Sequence, residues 1–343
     1  MLFSLIIPVY NVENYLDYCL NSIVSQDFLD YEIIIVDDGS TDDSASIYAR
    51  FAAEARVPVQ IVKQKNSGLL QARRAGIRVA RGDYLWHVDG DDGLAPHAMV
   101  AVSKEIEKSN PDLVLIGASD SDNFDQLLPG TVPGQQCFFQ DEDVNDIRLS
   151  FLSGAIPSIC FKIARRTCVD IDRDYSEYGK LQLGEDQLQS IYILDKARSV
   201  SCLREPLYYY RANRNSITAQ YREGLTSQYV VVKEAIYQQA LIWDKVWPGG
   251  RFSEVALTGY LSNGFYDMRK NVDGRNYSRQ FQEFRDSSLY GEAFKYRPNL
   301  RVEQRMFYSL FSKGPDLFSY WYLSICRAAV PLVRKAAACL HRC

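Results

Sequence analysis

Basic residues do not dominate this chain: 39 Lys and Arg stand against 43 Asp and Glu, a net charge of −4. A nucleic-acid partner would demand a basic face, so that class is excluded. The eight cysteines (Cys19, Cys137, Cys160, Cys168, Cys202, Cys326, Cys339 and Cys343) show no C-x-x-C spacing, which argues against zinc. Set mostly among apolar neighbours, they read as reduced core thiols of a cytosolic protein. No apolar run is long and uncharged enough to span a bilayer, and there is no internal repeat or low-complexity tract. The apolar start Met1 to Val9 is too short for a signal peptide and lacks a positive leader, so it reads as a first strand.

What is present suits a globular protein. With 343 residues, 47% hydrophobic and 24% charged, the chain can bury a substantial core and hold one large domain plus an appendage. After Asn11, a helix cap by type, residues Val12, Tyr15, Leu16, Cys19, Leu20, Ile23 and Val24 keep the three-four spacing of one apolar helical stripe. Glu32 to Val36, Val59 to Val62, Tyr84 to Val88 and Leu113 to Ile116 read as strands, with helices near 42–55, 68–80 and 96–108. Strand and helix alternating without hairpin signals predict an α/β fold, its mostly parallel sheet covered on both faces. Residues 120–136 read as a loop bordering a site, and from about residue 222 the pattern is helical.

Two strands deliver acids to their carboxyl ends, where open α/β sheets bind ligands. One ends in Asp37-Asp38-Gly39-Ser40-Thr41-Asp42, the other in Asp89-Gly90-Asp91-Asp92. If the second strand stays extended, Asp89 and Asp91 share a face while Asp92 turns aside. Such carboxylates suit magnesium or manganese holding a diphosphate, and a solvated acidic turn is the plain alternative.

Taken in order, Pro8-Val9-Tyr10-Asn11, Val36-Asp37-Asp38-Gly39-Ser40-Thr41-Asp42, Asn66-Ser67-Gly68, Ala72-Arg73 and Asp89-Gly90-Asp91-Asp92 resemble the inverting family-two nucleotide-sugar glycosyltransferases. The likeness is close over about the first 115 residues. It continues more loosely through Gly184-Glu185-Asp186-Gln187 and Tyr208-Tyr209-Tyr210-Arg211, then fades after about residue 220. The resemblance implies a GT-A type fold over residues 1–220; beyond it the residues themselves read as a helical C-terminal region over 221–312 and a basic amphipathic tail over 313–343.

It also implies roles. Asp91, with Asp89, would hold a divalent metal, Mn or Mg, against the diphosphate of a UDP-sugar. Pro8, Tyr10, Asn11 and Asp38 would line the nucleotide pocket, with Tyr10 otherwise a core tyrosine. Arg73 would stand near the donor or, on the ordinary reading, on a helix surface. Asp186 would be the general base, with Glu185 as an acceptor or positioning contact; helix-dipole complementarity alone also explains that acidic pair. Arg211 or Arg214 would pair with phosphate. Three positions depart from the family pattern: Arg74 stands for Asn, Gly90 for Ser or Ala, and Asn213 for His.

The tail, rich in Trp, Tyr, Arg and Lys, suits an anionic membrane interface or a helix packed on the fold. No Gln-x-x-Arg-Trp string occurs, which argues against a processive synthase. The expected protein is therefore a cytoplasmic transferase at the bacterial inner membrane surface. It would move galactose or glucose in β1,3 linkage onto an N-acetylhexosamine of a lipid-diphosphate-linked acceptor, in O-antigen or surface polysaccharide assembly. A catalytically silent nucleotide-sugar or partner binder is the alternative. A nucleotidyltransferase is disfavoured because Tyr10-Asn11-Val12-Glu13-Asn14 offers no Gly-rich basic loop.

Overall fold

The computed structural model describes residues 1–156, 158–211, 224–271, 277–311 and 322–326. The chain divides into two compact units, one formed by Met1–Phe151 and Ala155–Asn213, the other by Leu152–Gly154 and Arg214–Cys343.

In the first unit β1 (Phe3–Val9), α1 (Glu13–Val24), β2 (Tyr31–Asp37), α2 (Ser44–Glu54), β3 (Val59–Lys63), α3 (Leu69–Val79) and β4 (Tyr84–His87) alternate as the periodicity predicts. There follow β5 (Gly93–Leu94), α4 (Ala98–Ser109), β6 (Leu113–Ser119), β7 (Phe138–Gln140), α5 (Val144–Leu152), β8 (Lys162–Arg165), α6 (Glu185–Lys196) and β9 (Ser199–Tyr209). They build one nine-stranded sheet in the order β3-β2-β1-β4-β8-β6-β9-β5, with β7 paired to β9. Strands β1, β2 and β6 are buried along their whole length, which is why they read as continuous β-branched runs.

The α/β class holds, and the sheet is mixed: β8 runs antiparallel to β4 and β6, while β5 and β7 run antiparallel to β9. None of β5, β7, β8 and β9 was read from the sequence. Two of them are two and three residues long, and β8 is the charged string Lys162-Ile163-Ala164-Arg165. Strand β9 carries Pro206 where its register against β6 shifts, and a bulge is where a strand tolerates proline.

The second unit is helical: α7 (Leu225–Val246), α8 (Phe252–Asn271), α9 (Tyr277–Arg285), α10 (Ser288–Phe294) and α11 (Val302–Phe311). Aromatic packing forms its core, with Tyr260 and Phe284 stacked at 4.5 Å and 3°. Asp244 ends the α7 to α8 turn by accepting from Phe252 N at 2.7 Å and Ser253 N at 3.0 Å. No helix among the described residues is long and apolar enough to cross a membrane. Most of the tail reading falls outside the described residues. Of the part inside, Tyr322 donates to Glu303 O at 2.9 Å and Leu323 is buried, as in a packed helix.

Candidate functional site

The carboxyl ends of β1 and β2 are tied into one rim. Asp37 accepts from Ser40 N and Tyr48 OH, each at 2.8 Å. Asp38, buried, accepts from Gln64 Nε2 at 2.7 Å, Ser67 N at 2.7 Å and Gly68 N at 2.8 Å, so it fastens the loop that opens α3. Pro8 is buried in β1, whereas Tyr10 is 48% exposed at the rim, which removes the core reading of that ring.

Asn11 is not the cap of α1. Its φ is 52°, and its side-chain oxygen accepts from Thr41 N at 2.8 Å. The first helical N–H of α1, on Glu13, is instead taken by Asp42 at 3.0 Å, and Glu13 answers by accepting from Asp43 N at 2.8 Å. The cap comes from a loop thirty residues away, beyond the reach of a local reading.

At the end of β4 the chain turns sooner than the alternation rule assumes. The strand stops at His87, and Asp92 N donates back to Asp89 O at 3.0 Å, so a turn and not a pleat orients Asp91. Asp92 does turn aside: its buried carboxylate accepts from Tyr208 OH at 2.7 Å and Arg211 N at 2.9 Å. Burial, followed by the charges of Asp89 and Asp91, raises the pKa of Asp92 well above the carboxylate range. Arg211 donates through Nε to Asp91 O at 2.7 Å and lies 4.8 Å from the ring centroids of both Tyr18 and Tyr209, which anchors its stem beside the turn. Gly90 is packed so closely that a Cβ would meet Pro8 O at 3.1 Å and Val12 Cγ2 at 3.2 Å, so a glycine suits this chain where the family pattern has Ser or Ala. Asn213 and Arg214 lie outside the described residues.

Arg73 is the centre of the cluster. It is wholly buried, not on a helix surface, and donates through Nη2 to Asp89 Oδ1 at 2.8 Å and through Nη1 to Asp186 Oδ1. Burial alone would ease its proton off, but Asp186 and then Asp89 outweigh it and hold the guanidinium charged. Asp186 and Glu185 open α6, and Asp186 Oδ2 also receives Ile159 N at 3.4 Å. Glu185, half-buried, is pushed up to about 7 by burial and then by the charge of Asp186, with Arg73 opposing.

Three neighbours complete this cluster, and of them only Tyr208 stood in a motif the sequence offered. Cys160 Sγ lies 3.9 Å from Arg73 Nη2, Tyr208 bridges Asp92 and Asp89 N, and the fully buried Lys162 donates to Ile156 O and Ser158 O. Cys160 thus faces charge, not an apolar wall. Cys137, by contrast, is exposed. Cys160 and Lys162 stood in a segment with no periodic signal, and the contact that gives Cys160 its place spans 87 residues.

Behind the cluster is a cavity with room for the centre of one water, about 10 Å3, lined by Arg74, His87, Gln189, Tyr175 and Tyr192 among others. Arg74 Nε, His87 Nδ1 and Gln189 Oε1 are buried there without a hydrogen-bond partner. Arg74 otherwise holds the 170–173 loop, donating to Asp170 O and, at 2.6 Å, to Ile171 O.

Among the described residues no three His, Cys, Asp or Glu side chains converge on a metal position. The donor set of Asp89 and Asp91 nonetheless fits Mg or Mn: both are hard carboxylates, and such ions are commonly held by one or two of these plus substrate phosphates.

A mixed sheet with six parallel-running strands, and an arginine-braced acidic cluster on its carboxyl edge, defines a GT-A type α/β domain. Residues 4–144 match Glycosyl transferase family 2, so the chain carries a domain of that family. It is 30% identical over 224 residues to "Uncharacterized glycosyltransferase EpsJ" of Bacillus subtilis, covering 63% of each chain. It is also 27% identical over 235 residues to the poly(ribitol-phosphate) beta-N-acetylglucosaminyltransferase TarS of Staphylococcus aureus, covering 67% of this chain and 38% of that one. The chain thus spans less than two thirds of the length of either relative. A crystal structure of S. aureus TarS with UDP-GlcNAc superposes with a TM-score of 0.71 over 98% of this chain and 92% of that one, at 19% identity, which speaks to fold.

Proposed function

We propose that this protein is an inverting, non-processive, metal-dependent glycosyltransferase. It transfers one hexose, galactose or glucose, from a UDP-sugar in β linkage, at the 3-position, to an N-acetylhexosamine of a lipid-diphosphate-linked glycan. Such work belongs to the cytoplasmic face of a bacterial inner membrane, during O-antigen or other surface polysaccharide assembly. The observation that carries the reading is Arg73, one buried guanidinium joining the carboxylate of the 89–92 turn to the carboxylate that opens α6.

In the reaction the acceptor hydroxyl gives its proton to Asp186 as its oxygen bonds to the anomeric carbon, and the bond from that carbon to the diphosphate breaks on the opposite face. Arg73 orients Asp186 and keeps positive charge beside the cleft. Asp89 and Asp91 would hold Mn or Mg, which when bound stabilises negative charge on the departing diphosphate. Tyr10, Asn11 and Asp38 border the nucleotide, and Arg211 braces the turn that carries Asp91. An α-linked donor inverted once gives the β product, and TarS, a named beta-transferase, supports that outcome.

The relatives favour a second donor and acceptor. TarS is named for N-acetylglucosamine and poly(ribitol-phosphate), so UDP-GlcNAc and that polymer belong in the same screen. The test is transfer from UDP-galactose, UDP-glucose and UDP-GlcNAc to lipid-diphosphate and polyol-phosphate acceptors, with the linkage read by NMR. EDTA or Asp91→Ala should abolish transfer and metal-dependent UDP binding, and Asp186→Asn should lower turnover by about a hundredfold or more with UDP binding retained. Full turnover in EDTA removes the metal from the mechanism; full turnover in Asp186→Asn removes the base.

A further inference from the structure

We propose that Lys162 is a positioning residue for Asp186, holding the carbonyls of Ile156 and Ser158 so that the next residue, Ile159, presents its backbone N–H to the Asp186 carboxylate. Ile156 is a fully buried β-branched residue at φ 47°, a left-handed conformation that such a side chain rarely adopts. Its N–H donates to Gly130 O at 2.7 Å. The Lys162 ammonium, itself without solvent exposure, donates to Ile156 O and Ser158 O, each at 2.6 Å, and so ties the two carbonyls to one group. Ser158 Oγ then accepts from Cys160 N at 3.1 Å, and the residue between them, Ile159, gives its N–H to Asp186 Oδ2.

A buried ammonium is expensive, and a methionine of like shape would fill the space at lower cost. What the charge adds is command of two carbonyl dipoles, those of Ile156 and Ser158. Burial draws the Lys162 proton down to about 7, with Asp186 and then Cys160 opposing from the cluster side. The face of Phe151 lies 6.0 Å from Nζ. Lys162 therefore senses the Asp186 charge electrostatically while shaping its surroundings mechanically.

The inference rests on Asp186 acting as the base, and a double-mutant cycle on the full chain separates the two. UDP release from UDP-glucose, UDP-galactose and UDP-GlcNAc is measured for wild type, Lys162→Met, Asp186→Asn and the double variant. Lys162→Met should lower kcat about ten- to a hundredfold with donor KM within about twofold, and by less than about twofold once Asp186 is Asn. The same proportional loss in both backgrounds would overturn the inference and leave the base assignment standing. Undiminished turnover in Asp186→Asn would remove the base and this inference together. If Lys162→Met does not fold, or no donor turns over, the coupling is read in protein carrying 15N-labelled lysine. There the Lys162 side-chain resonance and its titration must shift on Asp186→Asn, and an unmoved resonance overturns the proposal.

Discussion

Glu185 and Asp186 are sequence neighbours with different surroundings. Asp186 meets a guanidinium and a backbone N–H, while Glu185 is half-buried beside that same negative charge and lifted to about 7. A carboxylate with a raised folded-state value stabilises the fold least once pH passes that value, because the unfolded chain releases the proton near 4.5. Glu185→Gln should therefore raise stability at pH 8, by about 1–3 kcal/mol, and have little effect at pH 4. The same change should flatten any limb near pH 7 in the kcat/KM profile. Chemical denaturation at the two pH values and a rate profile check this, and equal stability change at both would show that Glu185 does not titrate between them. The acidic pair was readable from Gly184-Glu185-Asp186-Gln187. Its partner was not: Arg73 lies 113 residues away from Asp186, and nothing in Ala72-Arg73-Arg74 distinguishes a buried bridge from a helix surface.

Among the elements, α3 is the one whose placement matters most, because it carries Arg73. It lies against β1 at Gly76, where a Cβ would come within 2.5 Å of Ile6 Cγ2 and 3.2 Å of Val36 Cγ2. Gly76→Ala should push the helix off the sheet, costing about 1–3 kcal/mol in stability and, by moving Arg73, lowering turnover more than donor binding. Thermal melts alongside kcat and KM test it; wild-type kinetics in a destabilised variant would mean that α3 tolerates the shift without misplacing Arg73. The elements most readable from sequence were the buried ones. The runs of β1, β2 and β6 and the stripe of α1 follow from burial on two faces or on one. The strands β8 and β9 stayed hidden because one is charged and the other is broken by a bulge, so neither has a clean period. The buried Lys162 sits on the first of these, so no period marks it either.

At the scale of the whole molecule, pH acts on stability from two sides. His87 is buried, its proton affinity lowered by burial and then by Arg73 and Arg74, so the folded chain resists taking up a proton that the unfolded chain accepts below about pH 6.5. Stability should fall in acid by up to about 1.4 kcal/mol per pH unit from this group, while the penalty at Glu185 grows in the opposite direction. The difference between wild type and His87→Gln, followed from pH 8 to 5, isolates the histidine. An identical slope in both would show that His87 accepts a proton without unfolding, through the cavity it lines.

The rim formed by Asp37, Asp38 and Asn11 has a thermodynamic consequence. The N–H groups of Ser40, Thr41, Ser67 and Gly68 are all taken by side-chain oxygens of that rim. These loops therefore lose their conformational freedom when the chain folds, so a nucleotide bound at this edge, as proposed, would meet little further ordering entropy. Hydrogen exchange at those four amides should be slow in the free protein and barely slower with UDP. Discrimination among nucleotides would then come from fit to a mould already set, with association near the rate of unhindered diffusional docking and selectivity residing in how fast a poor fit departs.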